Sequence, residues 1–156
     1  MRKFVSRGVV FLTSAAALPM SMPKLPAYEL VARPQDPRLD LLNRFFGLIG
    51  SPAQSYAPAF LEAADSFSLD WRLLPSLSYV ESTAGKAAKD NNLFGWDSGR
   101  AKFASPVAAI GLVAERLSEG PRYQGKTLEQ KLATYNRFPG YGNKVKAVMR
   151  RIAPTE

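Results

Sequence analysis

Apolar residues recur three and four positions apart in six stretches of the chain, which is the pattern of amphipathic helices. The six predicted helices start near Asp36, Tyr56, Asp70, Ser105, Thr127 and Tyr141. Local signals support several starts, because Asp36 and Ser105 each precede a proline that suits the first helical turn. Thr127 and Gln130 have the spacing of a capping box. The pattern therefore predicts a mainly α domain of about six helices around one core.

One face of each predicted helix is apolar. The residues predicted to face the core are Leu39, Leu42, Phe46, Ile49, Phe60, Ala63, Ala64, Phe67, Leu73, Leu74, Leu77, Val80, Val107, Ile110, Ala114, Leu117, Leu128, Leu132, Tyr135, Val145, Val148, Met149 and Ile152. Between the third and fourth helices the periodicity stops, and residues 82–104 are rich in Gly, Asn, Asp, Ser and Lys. This segment is predicted to be an irregular loop or a short β-hairpin.

The N-terminal residues have the pattern of an export signal. A basic start is followed by an apolar stretch over residues 8–20, with small residues that suit cleavage near Ala17. Residues 1–20 are therefore predicted to be a signal peptide or an N-terminal anchor, and residues 21–35 a Pro-rich tether before a domain over residues 36–153. The protein is expected to be exported, to the periplasm or the medium. An uncleaved N-terminus would tether it to the inner membrane.

Composition narrows the chemistry that this domain can perform. The 156 residues include no Cys and no His, which excludes thiolate nucleophiles, disulfides, Ser-His-Asp triads and zinc sites built from those ligands. No metal or other cofactor is expected. The formal charge is +8, and residues 100–156 contribute +7 of it, from eleven bases and four acids. Such a surface suits an anionic polymer or is simply a solvated basic face.

Glu81 is the candidate for catalytic chemistry. It follows Leu74, Leu77 and Ser78 on the apolar face of the third helix. A carboxyl group against an apolar face loses hydration, which favours its protonated form, and a protonated carboxylic acid can protonate the leaving oxygen of a glycosidic bond. The alternative is a glutamate that merely ends a helix and turns to solvent.

A spaced set of residue types surrounds and follows this glutamate. The set consists of Glu81-Ser82-x-x-Gly85, Asn92-x-Phe94-Gly95 and Tyr135-Asn136. In order and spacing it resembles the lysozyme-like superfamily, and most closely the bacterial glucosaminidase family typified by the flagellar rod-cap muramyl hydrolase. The resemblance covers residues 56–152.

The resemblance implies a lysozyme-like helical domain that cleaves β-1,4 bonds between the N-acetylated amino sugars of peptidoglycan glycan strands. It implies Glu81 as the general acid, with Tyr135 near it as a second catalytic residue. The expected substrate-binding residues are Ser82, Asn91, Asn92, Phe94, Trp96, Asp97 and Asn136. Aromatic rings offer flat faces to sugars, and amides offer donors and acceptors to N-acetyl groups.

For several of these residues, a purely structural role is an alternative to substrate contact. For Phe94 the sequence favours a place in the core, and for Trp96 it supports a place in the core and a place in the cleft equally. The two asparagines, Asn91 and Asn92, suit turns as well as substrate contact. Four further residues have structural alternatives: Ser82 suits a helix cap, Asn136 a C-cap, Tyr135 a core position and Asp97 a surface turn.

The sequence offers no convincing second catalytic carboxylate, since Asp90 and Asp97 are the only acids in the loop. Attack by the substrate's own N-acetyl oxygen, or formation of a 1,6-anhydro sugar as in lytic transglycosylases, needs only Glu81. A non-catalytic peptidoglycan-binding or assembly module is a further alternative. A basic nucleic-acid binder ranks last, because the bases scatter around the helices, so no nucleic-acid partner is expected. No spare apolar face is evident, which predicts a monomer.

Overall fold

The computed structural model of the protein describes residues 36–154. The predicted signal peptide or anchor (residues 1–20) and the predicted tether (residues 21–35) lie outside this range. The described residues form six α-helices and no strand: α1 (Pro37–Leu48), α2 (Ala57–Ser66), α3 (Leu73–Ser82), α4 (Pro106–Glu119), α5 (Leu128–Tyr135) and α6 (Tyr141–Ile152), with a 3-10 helix at Pro52–Tyr56 before α2. The prediction of a mainly α domain is confirmed.

Side-chain caps define the starts of three helices as the sequence predicts. The Asp36 carboxylate accepts the Arg38 N–H at 2.9 Å, and the Ser105 hydroxyl accepts the Ala108 N–H at 3.1 Å. Thr127 and Gln130 complete both bonds of the capping box. The sequence predicts that α3 starts near Asp70, but the helix starts three residues later, at Leu73. The Asp70 carboxylate accepts hydrogen bonds from the backbone N–H and the guanidinium of Arg72, which holds this segment in a turn.

The core is built around α3. This helix packs against α6, while α2 packs against α4, and residues 73–78 of α3 are all buried. Three phenylalanine rings connect the helices to the loop. The ring centroids of Phe46 and Phe60 lie 5.5 Å apart, and those of Phe60 and Phe94 lie 6.4 Å apart. The predicted core position of Val107 is wrong. That residue lies in the first turn of α4 and is 50% exposed, outside the buried stripe of the helix.

Ser82 ends α3, and the rest of the segment 82–104 forms an irregular loop of turns rather than a hairpin. Its non-glycine residues with left-handed backbone are Thr83, Ala84, Asp90, Asn91, Asp97 and Ser98. The loop nevertheless reaches the core, since Ala84, Leu93 and Phe94 are buried. It therefore brings backbone from residues 93–99 close to the C-terminal end of α3. None of the helices in residues 36–154 is long and apolar enough to cross a membrane.

Candidate active site

Glu81 lies in the last turn of α3, between the loop and the start of α6. The Tyr141 hydroxyl donates a hydrogen bond of 2.6 Å to Oε1 of Glu81. The other carboxylate oxygen, Oε2, lies against Gly95, where a Cβ atom would approach it to 2.8 Å. Gly95 also has a left-handed φ of 58°. Glycine at this position therefore serves both the turn and the close approach of the backbone to the carboxylate.

Two tyrosines form the floor beside this carboxylate. The rings of Tyr135 and Tyr141 are stacked, with centroids 6.0 Å apart and an interplanar angle of 10°. The Tyr135 hydroxyl donates to the Phe94 carbonyl at 2.6 Å, directly before Gly95. Tyr135 thus holds in place the backbone that faces Glu81.

Both phenols are strongly biased to their neutral form. Burial raises the pKa of Tyr135 well above its ordinary value, and the nearby Glu81 carboxylate raises it further. Burial also raises the pKa of Tyr141, with additional contributions from its hydrogen bond to Glu81 and the charge of that carboxylate. At physiological pH both hydroxyls are therefore hydrogen-bond donors, and neither is a base.

An aromatic wall continues from Tyr135 to Trp96 and Tyr123. The Trp96 ring meets Tyr135 edge-on at 5.8 Å and lies 6.3 Å from Tyr123. Trp96 is only partly buried. The sequence left two interpretations open for Trp96, a core residue or a cleft residue. The Trp96 ring both packs against neighbouring rings and lines a cleft.

Three adjoining clefts form what we call the groove. The central cleft, of about 460 Å³, is lined by Glu81, Gly95, Ser98, Gly99, Tyr135, Asn136 and Arg137. The second, of about 390 Å³, shares Gly95, Ser98 and Tyr135 with it and adds Trp96, Asp97, Arg122, Tyr123 and Thr134. The third, of about 260 Å³, shares Asn136 and Arg137 with the central cleft and includes Phe138. Glu81 therefore lies in the middle cleft of the three.

Five of the predicted site residues line this groove: Glu81, Trp96, Asp97, Tyr135 and Asn136. Asn136 also ends α5, and its side-chain oxygen accepts the Phe138 N–H at 2.9 Å. Asp97 lines the second cleft and forms an ion pair of 2.8 Å with Arg100. Among the described residues, Glu81 is the only carboxylate that lines the central cleft.

Four predicted substrate-binding residues have structural contacts instead. Phe94 is fully buried and offers no ring face to a sugar. The Ser82 hydroxyl donates to the Leu93 carbonyl at 2.7 Å and accepts the Gly85 N–H. These placements do not support substrate contact by Phe94 or Ser82.

The two asparagines are also occupied by the loop. The Asn92 amide accepts the Trp96 N–H at 2.8 Å and donates to the carbonyls of Trp96 and Ala101. Asn91 donates to the Phe103 carbonyl at 2.8 Å and lines a separate pocket beside Pro106. Both therefore hold the loop in the conformation that presents Gly95 and Trp96.

Sequence reasoning missed Tyr141, Tyr123, Arg122 and Arg137 as residues of the site. A usable signal existed for Tyr141, which shares the apolar face of α6 with Val145 and whose buried hydroxyl needs a partner. The two arginines carry no local signal, because they resemble the other surface bases of the basic C-terminal third.

The arrangement places one carboxyl group in a groove with an aromatic wall and with hydrogen-bonding groups on Asn136 and Arg137. Within residues 36–154, no three Asp or Glu side chains lie close enough to hold a metal ion. The Glu81 carboxyl group, with the neutral phenol of Tyr141 bonded to it, is a group that can transfer a proton. The chain matches no protein-family model, no curated protein and no solved structure.

Proposed function

We propose that this protein is a peptidoglycan hydrolase with a lysozyme-like helical fold, cleaving β-1,4 bonds between N-acetylated amino sugars as an endo-N-acetylglucosaminidase does. The observation that carries the proposal is the position of Glu81, whose carboxylate lies in the central cleft with Tyr141 bound to Oε1. The spacing of the motif residues, which resembles that of the glucosaminidase family, supports the same function. The export signal expected at the N-terminus would deliver the enzyme to the cell wall.

Glu81 acts in this proposal as the general acid. Tyr141 occupies Oε1, so Oε2 is the oxygen that carries the transferable proton. As the bond between the anomeric carbon and the bridging oxygen breaks, that proton passes to the bridging oxygen, which leaves as the hydroxyl of the departing sugar. Trp96, which is only partly buried, provides a ring face for the sugars of the bound strand, and Asn136 provides an amide.

The number of carboxylates bears on the second half of the reaction. Two-carboxylate glycosidases place the pair about 5–5.5 Å apart for a covalent intermediate, or about 6.5–9.5 Å apart to hold a water. Here the central cleft contributes Glu81 alone, and the candidate of the loop, Asp97, is engaged by Arg100 in the second cleft. This observation favours attack from within the substrate over attack by a second carboxylate.

A lytic transglycosylase is therefore the second candidate function. The 6-hydroxyl oxygen of the muramic acid residue would bond to its own anomeric carbon, and the Glu81 carboxylate would take the hydroxyl proton. Glu81 is thereby returned to its acid form, and the product has a 1,6-anhydro end. Attack by the N-acetyl oxygen, followed by water, would instead give a reducing end.

The test is mass spectrometry of the soluble fragments released from intact peptidoglycan by the full-length protein, by Glu81→Gln and by Glu62→Gln. Glu62 is an exposed residue of α2, and its substitution is the matched control. Reducing N-acetylglucosamine ends are expected for the hydrolase and 1,6-anhydro ends for the transglycosylase, with fragments from Glu62→Gln but none from Glu81→Gln. If the parent protein sediments with the wall and releases nothing, the groove binds without cutting and the proposal fails.

A further inference from the structure

We infer that the groove selects amino-sugar strands that carry carboxylates, with Arg122 and Arg137 as the residues that bind them. This inference rests on the proposed function and deepens it by naming the class of strand. The carboxylates belong to the peptides attached to the lactyl groups of the strand or, on sugars that carry no peptide, to the lactyl group itself. A neutral amino-sugar polymer of the chitin type carries neither.

The positions of the two arginines carry the inference. Arg137 follows Asn136 at the end of α5 and lines both the central and the third cleft. Arg122 lies in the turn after α4 and lines the second cleft with Trp96 and Tyr123. Arg122 and Arg137 are both exposed. A strand that runs through the groove past Glu81 would therefore meet a guanidinium in the cleft beyond Trp96 and another beside Asn136.

Within the described residues these two guanidiniums have no acidic partner, a property they share with Arg44, Arg116, Arg150 and Arg151, and among the unpaired arginines they are the two that line the groove. Arg38, Arg72 and Arg100 each form an ion pair of 2.6–2.8 Å with an aspartate. Among residues 36–154, no carboxylate lies within 4.0 Å of the guanidinium of Arg122 or Arg137. Both can therefore bind an incoming carboxylate without first giving up a partner in the protein.

Two acids of the groove do not cancel this charge. Asp97 is neutralised by Arg100 at 2.8 Å, and Glu129 in the third cleft is paired with Lys146 at 3.6 Å. The guanidiniums of Arg122 and Arg137 are thus free to bind an acid from the substrate, and the planar guanidinium is well suited to bidentate binding of carboxylates.

The experiment separates binding from cleavage by working in the Glu81→Gln background. Binding of Arg122→Gln, Arg137→Gln and the double variant is measured on intact peptidoglycan, on peptidoglycan whose peptides an amidase has removed, and on chitin oligosaccharides. Arg150→Gln is the matched control, because Arg150 is an exposed base of α6 that lines none of the three clefts. Cleavage rates of the same variants are measured with Glu81 intact.

Each groove substitution is expected to weaken binding to intact peptidoglycan about tenfold, which is the size of a charge-assisted hydrogen bond that is partly exposed. Binding to chitin oligosaccharides should not change, and Arg150→Gln should behave as the parent. Amidase-treated strands distinguish the two carboxylate sources, because the amidase removes the peptides with their carboxylates and frees the lactyl carboxylates that were held in amide bonds.

An equal loss with Arg150→Gln, an equal loss on chitin oligosaccharides, or no loss at all would overturn the inference. Failure of the proposed function looks different. If the groove variants lose binding to peptidoglycan but the parent never releases fragments, carboxylate recognition stands and cleavage does not.

Discussion

The six helices and the loop of residues 82–104 are held in place by different kinds of interaction. The helices are stabilised by apolar faces that meet in one core, with caps at their starts. The loop is held by the side chains of Ser82, Asn91 and Asn92, which bond to its own backbone carbonyls and N–H groups. Glu81 lies where the two regions meet. Its helix is fixed by apolar packing, whereas Gly95 and Trp96 are positioned by polar bonds.

Truncation in the helical core should have the largest effect on stability. Phe60 is fully buried and contacts the rings of Phe46 and Phe94. Phe60→Ala is expected to lower the free energy of unfolding by about 3–5 kcal/mol, because it leaves a cavity between α2 and the loop. Chemical denaturation measures this loss. Leu48→Ala, at an 81% exposed position of α1, is the control and should change stability by no more than about 0.5 kcal/mol.

Breaking the polar network should come next. Asn92→Ala removes three hydrogen bonds in a buried position and leaves the Trp96 N–H without its partner. The expected loss is about 1–3 kcal/mol in the free energy of unfolding, with a shift in Trp96 fluorescence as the loop rearranges. An unchanged Trp96 signal together with full stability would show that the loop is held by apolar contacts as the helices are.

Gly95→Ala and Gly50→Ala form a matched pair that tests the boundary between the regions. Both positions have left-handed backbone, but a Cβ at residue 95 meets Oε2 of Glu81 at 2.8 Å, whereas one at residue 50 meets nothing within 4 Å and lies outside the groove. Each substitution should cost about 1–2 kcal/mol of stability from backbone strain. Only Gly95→Ala should also depress the rate of wall cleavage, by displacing the carboxylate. Equal rates for the two variants would contradict the contact between residues 95 and 81.

The smallest effect is a change in how stability depends on pH. The pKa of Tyr141 is raised in the folded protein, so its phenol stays protonated above pH 10, where an unfolded tyrosine loses its proton. The folded state then binds more protons, and stability should fall as pH rises above about 10. Tyr141→Phe should remove about 1 kcal/mol of that fall by pH 11. Unfolding measured from pH 8 to pH 11 tests this, and parallel curves for parent and variant would contradict it.

The helices could be predicted because their signals are local: caps at Asp36, Ser105 and Thr127, and apolar spacing within each stretch. Glu81 could be placed at the end of a buried face for the same reason. The contact between Tyr141 and Glu81 could not be predicted, because it joins residues 60 positions apart in the chain. Asn92 could not be assigned, because an amide that holds a turn and one that binds a sugar look the same in a sequence.

The burial of α3 has a consequence for motion in this protein. Helix amides that are packed on nearly all sides exchange their hydrogens only when the whole domain unfolds, whereas loop amides exchange through local opening. The amides of residues 76–78 should accordingly be among the slowest to exchange, and those of Gly99 and Arg100 among the fastest. Glu81 is thus anchored to the helix expected to be the most rigid of the domain, and motion beside it falls to the loop that faces it.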